Sequence, residues 1–470
     1  MKKYGLRITG DQHRQINAML FPGDENESVV FALCGTLRTD NRYTLTVREI
    51  IAVPSDCYLE RTPNRVRWMT EFLPDLLDKA MKEKLALLKI HSHPGGLREF
   101  SNFDDEADID LFRSVYGWFD DDLIHASAIM MSDGELIARV ILPTGQSIPI
   151  SKIAVAGDDL YFWFSGEGDE TLPAYTQRHA QAFGGGTAQT LRKLSVAVVG
   201  CSGTGSPVVE QLKRLGVGRL VLVDPDRVEV KNLNRILGAT MDDARQGRYK
   251  VKVLADEIAR TGLETEVLPL PENLHCPDVI KAVAECDVIF GCVDSVDGRY
   301  LLNRLAVYYL VPYFDVGVRL DADGQGGVNQ ICGTVHYLQA DRSSLLSRGV
   351  YTLEQLRAAD LKRTNPEVYQ EQLQSKYIIG VAEDRPAVIS INMYFASLAV
   401  NEFLLRLHRC RDDSNADYAI HCISLTQGAI YSDVDNEPCS VLSRHVGRGD
   451  VNPLLDLTSL SGELLRGATR

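Results

Sequence analysis

Apolar and polar positions follow two different rhythms along this chain, and the change falls near Gly184-Gly185-Gly186. Before it, apolar runs at residues 29–35 and 43–53 read as strands, 64–84 as a helix and 86–91 as another strand. Apolar stretches 129–131 and 136–142 flank Asp133-Gly134, a hairpin signature. That mixture predicts a compact α+β domain. After the glycines, residues 194–199 form a fully apolar strand entering a glycine loop, 207–215 a helix, and 220–223 a strand ending on Asp224. A helix over 250–261 and a strand over 288–291 continue the alternation. Fully apolar strands alternating with helices predict a parallel, doubly wound sheet. Residues 340–380 read as a polar helical insertion and 387–406 as an amphipathic helix.

The predicted division is therefore an α/β chain with four parts. Residues 1–160 form the first domain, 161–190 a linker and leading helix, 191–435 the doubly wound domain, and 436–470 a C-terminal tail. At 470 residues, more than one core is the default.

Composition changes the picture little: 45% hydrophobic and 24% charged residues are ordinary for a globular protein. The net charge of -14 argues against a nucleic-acid partner, which needs clustered cations. The N-terminus has two lysines with no apolar run behind them, and no apolar stretch is long enough to span a bilayer. A cytoplasmic protein with reduced cysteines is expected, without a membrane partner. None of the ten cysteines falls at CxxC spacing, which speaks against a zinc ribbon.

Candidate chemistry begins with IHSHPGGLREFSNFDD. His91 and His93 alternate on a strand end, so both rings face the same way. Asp104 follows eleven residues after His93, within reach of a loop that swings a carboxylate back. Two imidazoles and a carboxylate make a three-ligand zinc site with the fourth position open to water. Ser101 is placed to donate to a developing oxyanion. The segment resembles the JAMM (JAB/MPN-plus) metalloprotease motif, HxHPx6SxxD, at every defined position. The resemblance implies a JAB/MPN-like fold, zinc-dependent cleavage of (iso)peptide bonds, and an upstream glutamate as general base. Glu27 is the candidate, before an apolar strand taken to end at Gly35. Glu25 is the rival, and Asp24 stays open.

A second constellation starts at GCSGTG, Gly200 to Gly205. Gly200, Gly203 and Gly205 would let backbone amides approach phosphate at a helix N-terminus. Asp224 would hold ribose hydroxyls. A nicotinamide dehydrogenase would share those features. It would not need the cluster that follows: DPDRVEVKNLNR, then Lys250, then the aspartate of GCVDS, Asp294. Nucleotidyl transfer needs cations over the phosphates and a carboxylate for magnesium. The run resembles the ThiF/MoeB/ubiquitin-activating adenylyltransferases and implies a Rossmann-like fold binding ATP and Mg2+. Asn232, Arg235 and Lys250 match ATP contacts, and Asp294 the magnesium ligand. Arg178 matches an arginine that reaches ATP in a neighbouring subunit, implying a homodimer.

Two departures bear on thioester chemistry. Ser344 and Ser347 stand where many relatives carry zinc-binding cysteines, and the crossover loop expected at 377–390 has no cysteine. Cys439, with His445 nearby in sequence, is the remaining candidate transfer nucleophile. An oxyester on Ser344 or Ser347 and direct hand-over to a conjugating-enzyme-like protein also stay open. The fusion implies a bacterial-type system. One half would adenylate the C-terminal glycine of a small ubiquitin-like (β-grasp) partner, and the other would cut that partner from precursors or targets. Sulfur-carrier activation and a non-catalytic ubiquitin-like-binding scaffold are the alternatives.

Overall fold

The protein is described here by a computed structural model covering residues 2–166, 172–323, 325–374, 386–435 and 437–461. It divides into two compact units. One comprises residues 1–168, 308–310 and 445–456, the other the remainder. Residues 445–456, part of the predicted C-terminal tail at 436–470, are counted in the first unit.

In the first unit the order is β1 (Lys3–Thr9), α1 (Gly10–Leu20), β2 (Val29–Arg38), β3 (Arg42–Ala52), β4 (Tyr58–Thr62) and β5 (Arg65–Trp68). Then come α2 (Leu73–Glu83), β6 (Ala86–His93), α3 (Asn102–Trp118), β7 (His125–Met131), β8 (Leu136–Ile141), β9 (Ser147–Pro149), β10 (Lys152–Ala156) and β11 (Leu160–Phe164). Nine strands make one mixed sheet, ordered β11-β10-β1-β3-β2-β6-β7-β8-β9, while β4 and β5 form a separate hairpin. Alternate residues of β2 serve two cores. Val30, Ala32 and Cys34 pack with Ile16 and Leu20 of α1 on one face. Val29, Phe31 and Leu33 pack with Leu73 and Leu77 of α2 and Phe112 and Val115 of α3 on the other. Burial on both faces is why β2 reads as an unbroken apolar run.

Three expectations are corrected here. The predicted helix at 64–84 is shorter: residues 65–68 alternate polar and apolar as β5, and α2 starts with Pro74 in its first turn, where a missing N–H costs nothing. The predicted linker at 161–190 begins inside β11, an aromatic edge strand. Gly35 does not end β2; the strand runs to Arg38.

Gly35 instead marks a crossing of two backbones. Its N–H donates to the Gly447 carbonyl (3.2 Å), and Asp450 N–H donates to the Thr36 carbonyl (2.7 Å). Asp450 also accepts from Arg38 N–H (2.8 Å) and the Tyr309 hydroxyl (2.8 Å). A Cβ on Gly35 would press into the backbone of Gly447 and Arg448. Gly35→Ala should therefore destabilise the first unit by about 1–3 kcal/mol, the range for overpacking a tight contact. Thermal unfolding checks it, with limited proteolysis after residue 444 as a second readout; an unchanged melt would refute the tight crossing at Gly35.

The second unit begins with α4 (Gln177–Phe183) and α5 (Gly185–Lys193), followed by β12 (Ser195–Val199), α6 (Gly205–Leu215), β13 (Arg219–Val223), α7 (Met241–Gln246), α8 (Lys250–Thr261) and β14 (Glu266–Leu270). It continues with α9 (Pro277–Ala284), β15 (Val288–Gly291), α10 (Val296–Tyr309), β16 (Tyr313–Ala322), β17 (Val328–Leu338), α11 (Leu353–Thr364), α12 (Pro366–Gln374), α13 (Ile389–His408), β18 (Ile420–Ser424) and β19 (Ala429–Asp433). The sheet order is β14-β13-β12-β15-β16-β17-β18-β19. The first five strands are parallel, as predicted, but β17, β18 and β19 add an antiparallel wing. The predicted insertion at 340–380 is two helices, α11 and α12, with residues 375–380 outside the described part.

A buried ionic cluster secures α13 against β18. Glu402 accepts from Arg406 Nε (2.7 Å), His421 Nε2 (2.6 Å) and Arg411. Burial alone would raise the Glu402 carboxyl, but His421, Arg411 and Arg406 overcome it and bring it down to about 2 from its ordinary 4.5. Because the folded value lies below the unfolded one, this stabilisation is complete above the unfolded value and is lost as pH falls through the folded one. It is worth roughly 3 kcal/mol, about 2 of which should be gone by pH 3. Urea unfolding at pH 6 and pH 3 should show wild type losing that much more than Glu402→Gln. Equal losses would refute the assignment.

Candidate functional site

In the first unit, β6 places Leu87, Lys89, His91 and His93 on the α2–α3 face, alternating with Leu88 and Ile90 on the other. Asp104 is delivered by the first turn of α3, not by the expected swinging loop. Ser101 is the N-cap and Asp104 the N3 residue of a reciprocal capping box. His91 Nε2 lies 3.0 Å from Asp104 Oδ1 and 3.0 Å from His93 Nε2, and His93 Nε2 lies 3.6 Å from Asp104 Oδ2. Ligand atoms of these three residues all fall within 4.8 Å of one another.

His93 Nδ1 donates to the Leu97 carbonyl (2.7 Å), so the neutral ring turns its Nε2 lone pair into the cluster. His91 Nδ1 is buried without a hydrogen-bond partner. Lone pairs and a carboxylate converging in a buried place fit a divalent cation of the borderline kind that takes nitrogen and oxygen ligands. Burial lowers the His91 imidazolium value. Burial also opposes the Asp104 carboxylate, but bonds from His91, His93 and Ser101 hold it well below the carboxylate range.

Glu27 sits two residues before β2, 8% exposed, and lines the same cleft as His91, Ser101 and Asp104. Burial, reinforced by the Asp104 charge, pushes its carboxyl up to about 7, against the pull of His93 and Lys89. Asp24 is exposed and paired with Arg61 (2.8 Å), and Glu25 is exposed with φ 56°; neither lines the cleft. Ser101 differs from expectation. Its hydroxyl donates to Asp104 Oδ2 at 2.7 Å and accepts from Asp104 N–H at 3.2 Å. Serving an oxyanion would require release of that first bond.

Behind the cluster, Lys89 Nζ donates to Asp108 Oδ1 (2.6 Å) and Arg139 to Asp108 Oδ2 (2.7 Å). This buried trio went unnoticed in the sequence because it is split among β6, α3 and β8.

In the second unit, β12 ends at the glycine loop and α6 begins at Gly205. Gly200 has φ +89°, and a Cβ there would lie 2.6 Å from the Cys292 carbonyl. One on Gly203 would meet Arg235 Cδ at 2.8 Å, and one on Gly205 the Gly200 carbonyl. Asp224, at the end of β13, accepts from Cys201 N–H (2.8 Å) and Asp226 N–H (2.9 Å), and burial raises its carboxyl. Lys250, the first residue of α8, lies 2.7 Å from Asp226 and 3.7 Å from Asp224.

Gly200, Gly203, Asp224, Asn232, Arg235, Lys250 and Asp294 line one cleft of about 490 Å³ at the carboxyl ends of the parallel strands. Gly205 lies beneath it. Arg178 does not line it; exposed on α4, it bonds Gln181 of its own helix (3.4 Å). Sequence reading missed Arg299, His275 and Asn392, which also line the cleft. Arg299 Nε donates to the Val293 carbonyl (3.2 Å) beside Asp294 and pairs with buried Asp315 (3.4 Å). Its only signal was its place five residues after Asp294. Asn392, on distant α13, carried none.

Cys439, 2% exposed, is shut away from solvent. His445, near it in sequence, bonds the Tyr308 hydroxyl (2.9 Å). Ser344 is buried and Ser347 exposed, and the pair bond each other's backbone (2.9 and 3.1 Å). Among the described residues the cleft contains one cysteine, Cys292, whose thiol burial pushes up, away from the nucleophilic thiolate. The crossover loop predicted at 377–390 falls largely outside the described residues.

An open sheet with a glycine turn and a polar cleft at the carboxyl ends of its strands defines the second unit as a Rossmann-like domain. A sequence model described as the ThiF family matches residues 176–429, more than half the chain, and the chain belongs to that family. The adenylyltransferase and sulfurtransferase MOCS3 of Danio rerio is 35% identical over 117 residues, 25% of this chain and 25% of that protein. The sulfur carrier protein adenylyltransferase of Thermus thermophilus is 33% identical over 140 residues, 30% and 51% of the two chains. The ubiquitin-like modifier-activating enzyme 5 of Arabidopsis thaliana is 30% identical over 149 residues, 28% and 34%. These matches span a quarter to a half of the relatives' own lengths. A crystal structure of E. coli MccB with ATP is 19% identical, with a TM-score of 0.43, covering 59% of this chain and 76% of that one. No helix among the described residues is long and apolar enough to cross a membrane.

Proposed function

We propose that the second unit adenylates the C-terminal glycine of a ubiquitin-like protein. The carrying observation is one cleft, in a ThiF-family domain, lined by a glycine loop, the cations Arg235, Lys250 and Arg299, and Asp294. In this reading Gly200 and Gly203 bring backbone N–H groups to phosphate, Asp224 accepts from ribose hydroxyls, and Asn232, Arg235 and Lys250 hold the triphosphate. Magnesium at Asp294 would neutralise charge on the phosphates. A glycine carboxylate oxygen attacks the α-phosphorus and pyrophosphate leaves. Buried Cys439 favours hand-over from the adenylate to a separate protein. Arg178, exposed outside its own cleft, suits the cleft of a second copy, as in a homodimer. Sulfur-carrier activation uses the same chemistry and is the second reading, favoured by the names of the Danio and Thermus relatives.

The first unit is read as a JAMM-type zinc peptidase. His91, His93 and Asp104 would hold the ion, which supplies a polarised water and a Lewis acid for the scissile carbonyl. Glu27, in the same cleft, would serve as the general base, accepting a proton from the attacking water and returning it to the leaving amine. The support is the buried convergence of three ligands with Glu27 in the same cleft.

ATP–pyrophosphate exchange with β-grasp proteins ending in glycine tests the first reading. Exchange that depends on such a protein supports it. Silence with both ubiquitin-like and sulfur-carrier proteins refutes it. Zinc content with cleavage of a fusion to the same partner tests the second.

A further inference from the structure

His91 and Asp104, two of the three clustered ligands, lie with Glu27 at one end of a cleft of about 470 Å³ that continues into an apolar trough. One wall is the β4–β5 hairpin, with Leu59, Val66 and Trp68; the other is α2 and α3, with Leu77, Phe103 and Trp118. Leu59 is 59% exposed, Trp118 44% and Phe103 41%. Large apolar side chains gathered in water around one opening mark a surface built to be covered.

We propose that this trough is a specificity subsite for a large apolar side chain, aliphatic or aromatic, of an extended peptide. That side chain lies within two residues of the bond presented to the metal ligands. The commitment to a peptide rests on the peptidase reading of the first unit. The commitment to an apolar side chain rests on the walls themselves. The volume suits one aromatic side chain with its flanking backbone, in the range of ordinary ligand pockets of roughly 300–1,000 Å³. The polar groups at the rim, Asn64 and Arg67, are exposed and available to the peptide backbone. Selectivity comes from burying the apolar group, which is worth about tenfold or more over a serine at the same position.

Two of the chain's three tryptophans line this cleft, so binding is readable without catalysis. The full-length protein, with zinc added, is titrated with blocked hexapeptides differing at one position (Phe, Leu, Ser or Asp), following tryptophan fluorescence. Phe and Leu peptides should saturate at concentrations at least about tenfold below the Ser peptide. Ser114→Phe, which fills the trough from the exposed face of α3, should erase the preference while zinc per chain stays unchanged. Leu59→Asp provides a second, surface variant with the same expectation. Equal binding of Phe and Ser peptides, or an undiminished preference in both variants, overturns the subsite. Selective binding with no peptide cleaved keeps the subsite and defeats the peptidase reading. Cleavage indifferent to the varied residue does the reverse.

Discussion

Replacing Lys250 with Met, or Asp294 with Ala, should lower partner-dependent ATP–pyrophosphate exchange by about 10²–10³-fold, the usual loss when one group stabilising transition-state charge is removed. Lys250 is buried at the start of α8, held by Asp226 and Asp224 rather than by solvent. It is therefore pre-positioned, and no water replaces it cheaply. Lys250→Met keeps the volume of the stem and removes the charge. Lys252, exposed on the same helix and outside the cleft, gives the control: Lys252→Met should exchange like wild type. Asp294 is exposed at the rim, so its loss should leave the fold intact while raising the magnesium concentration needed for half-maximal exchange. Exchange unaffected by either change would mean that the cleft does not hold a triphosphate.

Glu27→Gln should lower hydrolysis by the first unit about 10²–10⁴-fold, the range for removing a general base, with zinc per chain unchanged. His93→Ala should instead lose both zinc and hydrolysis, because two remaining ligands do not make a catalytic site. The split between these variants distinguishes a base from a ligand. Glu25→Gln, at an exposed position outside the cleft, should behave as wild type. A Glu27→Gln protein that still cleaves at the wild-type rate would remove Glu27 from the mechanism.

The sites differ in how much of them local sequence could express. Glycine loops, Asp224 and the HxHP run are set by backbone approach and strand alternation over a few residues. Their spacing alone carried the expectation that they would meet. Helix α3 shows the limit. Its buried face carries Asp104 and Asp108 beside Phe112 and Val115. With acids at half its inward positions it has little apolar periodicity, and no helix was expected there. Only the folded molecule supplies the reason those acids are tolerated: His91 and His93 meet one, and Lys89 and Arg139 meet the other.

The same division holds for the rest of the chain. What the sequence by itself determined is local: fully apolar strands, the turn at Gly200, and the two histidine ligands two positions apart. The tertiary structure alone decided what depends on partners remote in the chain. It set Gly35 against Gly447, carried Asn392 to the cleft of the second unit, paired β17 with distant β18 in the antiparallel wing, and buried Cys439. Each of these is a packing outcome between segments far apart in sequence, where pairing is selected by the fit of whole surfaces and no short run of residues records it.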